Sequence, residues 1–426
     1  MDTFSIRGGT PLYGELHIQG AKNAALPILA ATVLAGGSYT LYDVPHLLDI
    51  EVMLKILTSL GVQCEHKNST VHVDTSNLTS CYVPHDLMGQ MRSSIFLMGP
   101  MLARCGEIIL SRPGGCAIGE RRINLHYKGL EALGATIIEE EGYIRCQAAQ
   151  LKGNSIFLDY PSVGATENIM MAAVRAEGET IIYNAAREPE IIDLQNFLNQ
   201  LGARIRGAGT DTIVISGTQH LYPAEYRIIP DRIVTGTMIL ASAITKGEVT
   251  LTNVEPKHLI SLLDLTSQSG VEIESTHDIM KVKTKRNYRA IDRIVTAPYP
   301  GFPTDMQAQM MAFLSLAEGC SIMKETVFEG RFRHVTELNR LGADIQIDLN
   351  TAFIRGVSKL SGTTVEATDL RAGAALILAG LAAEGETRVT GAHHIDRGYD
   401  AIEHQLASLG ARITRLTNDP LLSTGI

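Results

Sequence analysis

A thiol set among cations is the first pattern in this sequence that could do chemistry. Cys116 stands at the tip of SRPGGCAIGERRINLH, between Arg112 and Arg121-Arg122. Nearby positive charge stabilises a thiolate and makes the sulfur reactive. Pro113-Gly114-Gly115 and Gly119 interrupt regular structure around it, so the stretch reads as a loop able to cover a site. The plainer reading of a cysteine is a small core residue, and Cys64, Cys81, Cys105, Cys146 and Cys320 keep that reading. The second candidate is Asp305, which follows Pro300-Gly301-Phe302-Pro303-Thr304 and precedes an apolar helix. A carboxylate at a helix start could take a proton from a hydroxyl, or it could cap the helix. Basic residues recur at comparable positions: Lys22, Arg92, Arg232 and Arg371 where helices are predicted to open, and Arg187, Arg331, Arg333 and Arg397 in strand-to-helix loops. Helix N-termini carry free N–H groups and partial positive charge. With lysine and arginine interleaved they form a receptor for phosphate and carboxylate. Capping, by Asp369 for example, is the ordinary alternative.

These residues are positioned by a repeat. The pattern L-x-x-L-G appears as LTSLGVQC at 57, LEALGATI at 130, LNQLGARI at 198, LNRLGADI at 338 and LASLGARI at 406, with a degraded copy, LTSQSGVEI, at 265. The glycines at 61, 134, 202, 270, 342 and 410 are separated by 73, 68, 68, 72 and 68 residues. A leucine-bearing helix, then glycine, then a β-branched run is a helix C-cap feeding a strand. A second glycine landmark precedes each (AGGSYTL, RCGEIIL, AEGETII, TKGEVTL, AEGCSIM, AEGETRV). Each unit therefore reads helix, glycine, strand, loop, helix, glycine, hairpin. The sixth runs out of chain after Ile413, and FSIRGGTPLYGELHIQG at the front parallels the missing part. The fold class is α/β, six repeats of about 70 residues, three per domain. One domain spans 21–229; the second is discontinuous, 1–20 with 230–426. Two chain crossings between the domains form a hinge, and clefts at domain interfaces are favoured ligand sites.

The 426 residues carry 37 basic and 46 acidic side chains, a net charge of −9. That balance argues against non-specific binding to nucleic acid or a membrane surface, both anionic. The absence of tryptophan and an aromatic content of 5% leave few platforms for stacking bases. The long apolar runs, 24–35 and 372–383, have 12 residues each, against about 20 for a membrane span, and read as buried helices. MDTFSIRGG shows no secretory pattern. Six cysteines without CxxC spacing are neither a disulfide framework nor a zinc pattern. His393-His394 lacks metal spacing, so no metal is expected. A cytoplasmic protein with reduced thiols is expected.

GAKNAALP at 20, RPGGCAIGERRINLH at 112, NAAREPEIIDL at 184, PDRIVTGT at 230, FPTDMQAQ at 302, FEGRFRHVTEL at 328, ATDLRAG at 367 and HHIDRGYDAIE at 393 together resemble the enolpyruvyl transferases. The resemblance runs through essentially the whole chain. It implies the two-domain inside-out α/β barrel of that family, and transfer of the enolpyruvyl group of phosphoenolpyruvate to the 3′-hydroxyl of UDP-N-acetylglucosamine, with release of phosphate. The implied path is addition then elimination through a tetrahedral phospholactoyl intermediate, the first committed step of peptidoglycan precursor synthesis. No cofactor is implied, and a monomer is expected.

By the same resemblance Cys116 helps protonate the enol methylene, and Asp305 accepts the hydroxyl proton. Lys22, Arg121 and Arg397 grip phosphate and carboxylate, with Arg371 beside them and Asp369 near the reacting carbons. Asn23 lies near the reacting hydroxyl, and Arg92 belongs to the basic pocket. Arg121, Arg122, Ile123, Asn124, Leu125, Ser162, Val163, Gly164, Asp305 and Val327 line the nucleotide-sugar pocket. Arg232 and Arg331 read as a further anion site. Two departures from the family pattern stand out: Tyr160-Pro161 where a Lys-Val pair is usual, and Val234 where an acidic residue is common. The alternatives are the sister reaction on shikimate 3-phosphate and a catalytically silent UDP-sugar-binding paralogue. An RNA-processing enzyme on a related repeat fold is disfavoured by the acidic charge.

Overall fold

The six glycine signatures become six helix ends. A computed structural model describes residues 2–111, 123–140, 142–284 and 288–417. In it Gly61, Gly134, Gly202, Gly270, Gly342 and Gly410 all adopt φ between 92° and 107°. That left-handed conformation costs other L-residues about 1–2 kcal/mol, so the repeat keeps glycine where the helix must turn into a strand. Hairpins follow: Gln63–Lys67 with Thr70–Asp74, Thr136–Glu140 with Tyr143–Gln147, Arg204–Arg206 with Thr212–Ser216, Val271–Thr276 with Ile279–Thr284, and Asp344–Asp348 with Thr351–Arg355. The sixth finds its partner at the other end of the chain. Arg412–Leu416 pairs antiparallel with Thr3–Arg7, Ile413 opposite Ile6. Thr3–Arg7 also pairs with Glu386–Thr390, so it is an interior strand of that sheet.

Among the described residues there are six small sheets, five of four strands and one of three. Their strands alternate buried and open residues, as in Thr351–Arg355 and Glu386–Thr390, the pattern of a sheet with one face on a core. The covering helices are apolar all round. Eleven of the thirteen residues of Leu370–Ala382 are buried, and twelve of the thirteen of Arg232–Ile244. A helix buried on every side belongs inside. Each unit thus has helices inside and sheets outside, as the resemblance implies.

The contacts divide the described residues into two units, 2–19 with 230–417, and 20–111 with 123–229. Each has its own apolar core, one built from Ala21 to Ile228, the other from Phe4 to Ile18 with Ile233 to Ile413. One predicted helix is different. The inner helix expected to open at Met91-Arg92-Ser93 is a 3-10 turn, Arg92–Leu97, followed by an α-helix, Met98–Cys105. Pro100 has no N–H for an i−4 carbonyl and its ring crowds that position. The α-helix therefore restarts at Met98, with Pro100 in its first turn. No helix among the described residues is long and apolar enough to cross a membrane.

Candidate active site

In the unit of residues 230–417 three inner helices bring their N-termini together. Asp231 caps Arg232–Ile244 by accepting from the N–H groups of Ile233 and Val234. Asp369 caps Leu370–Ala382 by accepting from Arg371 and Ala372. Asp305 sits in the 3-10 turn Thr304–Met306 that leads into Gln307–Leu314. Unlike the other two it is not a cap. Arg331 Nη2 donates to its Oδ1 at 2.6 Å, and Arg371 Nη2 to its Oδ2 at 2.8 Å. Both guanidinium side chains are nearly dry, at 4% and 7% exposure, while Asp305 keeps 26%. Burial pushes the Asp305 carboxyl up, but the charges and hydrogen bonds of Arg371 and Arg331 outweigh it and hold it well below the usual carboxylate range. Asp305 is thus an ionised carboxylate with an accessible edge, fixed on both oxygens.

Arg371 is fixed in turn. Its Nη1 meets the Tyr399 hydroxyl at 3.5 Å and its guanidinium lies 5.9 Å from the centre of that ring. The Tyr399 hydroxyl also bonds Thr237 at 2.8 Å. Asp231 acts electrostatically on Arg371. Burial lowers the His394 value first; His393 and Arg397 push it down as well, while Asp369 pulls it up, so both Asp369 and Arg397 lie within electrostatic reach of this ring. Arg397 is half-buried in the turn after Ala392–Ile395. Asp305, Arg331, Asp369, Arg371 and Arg397 therefore share one end of this unit. Val327 is half-buried in the loop between Asp305's partner Arg331 and the strand Cys320–Lys324. Arg331, expected at an anion site, meets an anion of the chain itself. Arg232 lies 5.8 Å from the centre of the Tyr299 ring.

In the unit of residues 20–229 the inner helix Lys22–Ala31 opens with two site residues. Lys22 Nζ lies 3.1 Å from Asp49 Oδ2, the two side chains 11% and 5% exposed. Asn23 is half-buried beside it. Arg92 begins the 3-10 turn, its side chain lying outside the described residues. Ser162 caps Val163–Ala173 by accepting from Ala165. His126 joins the two stretches of the expected nucleotide-sugar pocket. It follows Ile123, Asn124 and Leu125 at the start of Asn124–Ala132, and its Nδ1 receives the Asn168 amide at 2.8 Å. A Cβ at Gly164 would come within 3.1 Å of the His126 ring and 3.2 Å of Phe96, so only glycine lets 162–164 approach 123–126 this closely. Cys116, Arg121 and Arg122 lie outside the described residues.

Reading the sequence missed three groups that these contacts bring forward. Asp49 partners Lys22 from a different helix, and nothing in its LLDIEVM context points there. Tyr399, buried in the structure, was inside a quoted motif, HHIDRGYDAIE, where a tyrosine set among charged residues was the available signal. Glu325 is a buried carboxylate directly after a strand, with no spacing that marks it.

The model of the EPSP synthase (3-phosphoshikimate 1-carboxyvinyltransferase) family matches residues 6–406. The UDP-N-acetylglucosamine 1-carboxyvinyltransferase 2 of Caldanaerobacter subterraneus subsp. tengcongensis is 51% identical over 416 residues, 98% of this chain and 100% of that protein. The UDP-N-acetylglucosamine 1-carboxyvinyltransferase of Geobacter metallireducens is 51% identical with the same coverage, 98% and 100%. Among solved structures, the enolpyruvyl transferase NikO from Streptomyces tendae superposes with a TM-score of 0.90 at 26% identity, covering 98% of this chain and 99% of that one. An EPSP synthase from Acinetobacter baumannii gives 0.78 at 19% identity, covering 98% and 100%. Matched along nearly its whole length, the chain has the two-domain inside-out α/β fold and belongs to the enolpyruvyl transferases of the EPSP synthase family.

Proposed function

We propose that this chain transfers the enolpyruvyl group of phosphoenolpyruvate to the 3′-hydroxyl of UDP-N-acetylglucosamine and releases phosphate. The observation that carries the reading is the 51% identity over 98% of the chain to relatives bearing that activity in their names. The likeness to the solved EPSP synthase, at 19% identity, extends to the fold alone. The sister reaction on shikimate 3-phosphate is accordingly the weaker reading.

In the addition step the sugar oxygen bonds to C2 of the enol, the double-bond electrons take a proton at C3, and the hydroxyl proton leaves to a base. In the elimination step C3 loses a proton, the C2–O bond to phosphate breaks and the double bond reforms. Cys116 assists proton delivery at C3, and Asp305 takes the hydroxyl proton. Lys22, Arg121 and Arg397 hold phosphate and carboxylate, with Arg92, Arg371 and Asn23 around them and Asp369 near the reacting carbons. Ile123–Leu125, Ser162–Gly164 and Val327 receive the nucleotide sugar, and Arg232 serves a further anion contact.

Asp305, held well below the usual range, is ionised before substrate binds and weakly basic. Hydrogen bonds that Arg371 gives to a bound anion relax its hold on Asp305 and raise the carboxylate's proton affinity once the substrates are in place. The proton moves as the new C–O bond makes the hydroxyl acidic. The same reading assigns the reaction to the cytoplasm, at the entry to peptidoglycan precursor synthesis, and takes the chain as a monomer. Phosphate release from phosphoenolpyruvate, with UDP-N-acetylglucosamine or with shikimate 3-phosphate, tests it. Release with the second acceptor and not the first would overturn the choice of substrate.

A further inference from the structure

Glu325 is 2% exposed and lies one residue past the strand Cys320–Lys324. No lysine or arginine forms an ion pair with it among the described residues. Its carboxylate is instead met by four hydrogen-bond donors. Oε1 accepts from Thr296 Oγ1 at 2.8 Å, from the Val327 N–H at 2.7 Å and from the Phe328 N–H at 3.1 Å. Oε2 accepts from Thr304 Oγ1 at 2.9 Å. Three of the four donors crowd Oε1 and one meets Oε2, so both oxygens of the carboxylate are engaged.

The direction of each bond is fixed by the next. Thr304 Oγ1 receives Arg331 Nη1 at 2.7 Å, which leaves its own proton to point at Glu325. Thr296 Oγ1 receives the Thr326 N–H at 2.9 Å, with the same consequence. Arg331 carries the chain onward, its Nη2 reaching Asp305 Oδ1 at 2.6 Å. One buried carboxylate thus ties the end of Arg293–Val295, the turn bearing Asp305 and the loop bearing Val327.

We propose that Glu325 is a positioning residue for the transfer reaction, fixing the Val327–Phe328 backbone with one oxygen and, through Thr304 and Arg331, the orientation of Asp305 with the other. The inference rests on the reading of Asp305 as the proton acceptor. Errors of about 1 Å at a reacting group can cost 10²-fold in rate, so the arm that reaches Asp305 carries the kinetic effect.

The test is steady-state phosphate release with phosphoenolpyruvate and UDP-N-acetylglucosamine. In Glu325→Gln the amide oxygen keeps the three-donor side, since an NH₂ there would face two N–H groups. The NH₂ then faces Thr304, whose hydroxyl loses its acceptor. The expected result is a fall in kcat of about 10- to 100-fold with KM for UDP-N-acetylglucosamine within a few-fold. Thr304→Val removes the same link without touching Glu325 and gives a similar fall. The double variant is no slower than the worse single one, because both cut one path. Thr296→Val deletes a donor to the same carboxylate off that path; it lowers the melting temperature and leaves kcat within about twofold. Folded Glu325→Gln with wild-type kcat, equal kcat losses in Thr296→Val and Thr304→Val, or additive losses in the double variant would each overturn the inference alone. A wild-type protein that releases no phosphate would remove the reading of the reaction, and the inference with it.

Discussion

At Asp305 two demands compete. Two buried guanidiniums hold its carboxylate ionised, yet the reaction asks it to accept a proton. Asp305→Asn keeps the shape and the acceptor oxygen on one side and loses the base. It should bind both ligands with near-normal affinity, seen by calorimetry, and turn over about 10²–10⁴-fold more slowly. Because the carboxyl sits well below its ordinary range in the free protein, it stays charged near neutrality before substrate binds, and an acid limb in kcat/KM between pH 5 and 7 belongs to another group. His126 shows the opposite environment. Burial lowers it from 6.5 to about 4, so it is neutral in the fold while a free imidazole would take a proton. The unfolded chain therefore binds more protons between those values, and stability is lost as pH falls from 6.5 toward 4. At 1.36 kcal/mol per unit the gap corresponds to about 3 kcal/mol. Urea unfolding of His126→Asn at pH 7 and pH 5 should show a weaker loss than wild type. Asp305, Lys22, Arg331 and Arg371 stood out in the sequence as charges at helix starts and loops; which of them pair, and Asp49 as the partner of Lys22, did not, because a salt bridge across tens of residues leaves no local period.

Helix ends carry most of what was legible at the next scale. A glycine with positive φ ends one helix in each of the six repeats, and its neighbours in sequence, a leucine pair before and a β-branched run after, fix the geometry. At Gly342 φ is 98° and no atom lies within 4 Å of the point a Cβ would occupy, so Gly342→Ala meets strain without collision. It should cost about 1 kcal/mol in urea denaturation, with activity retained. Gly164 is the contrasting case, with the ring of His126 and Phe96 at 3.1 and 3.2 Å. Gly164→Ala should push 162–164 away from 123–126 and raise KM for UDP-N-acetylglucosamine several-fold while kcat changes less. The broken inner helix at 92–97 was legible in principle, since Pro100 follows eight residues after Arg92 and a proline kinks or breaks a helix interior.

For the molecule as a whole, the strand Thr3–Arg7 is decisive. It closes a sheet whose other strands lie nearly four hundred residues away, and Phe4 and Ile6 are 0% exposed. The repeat count exposed this closure, because five complete hairpins and one incomplete one leave a place that only the front of the chain matches. Phe4→Ala should cost about 3–5 kcal/mol, all of it in the unit containing residues 230–417. Limited proteolysis should then release fragments from that unit while 20–229 resists. The loop bearing Cys116 was legible as chemistry and lies outside the described residues, so its part rests on the family pattern. The most direct measurement is phosphate release from phosphoenolpyruvate by the purified protein, with and without UDP-N-acetylglucosamine. The expected result is release that depends on the nucleotide sugar and falls at least 10²-fold in Asp305→Asn; release independent of the sugar, or none with it present, would contradict the assignment.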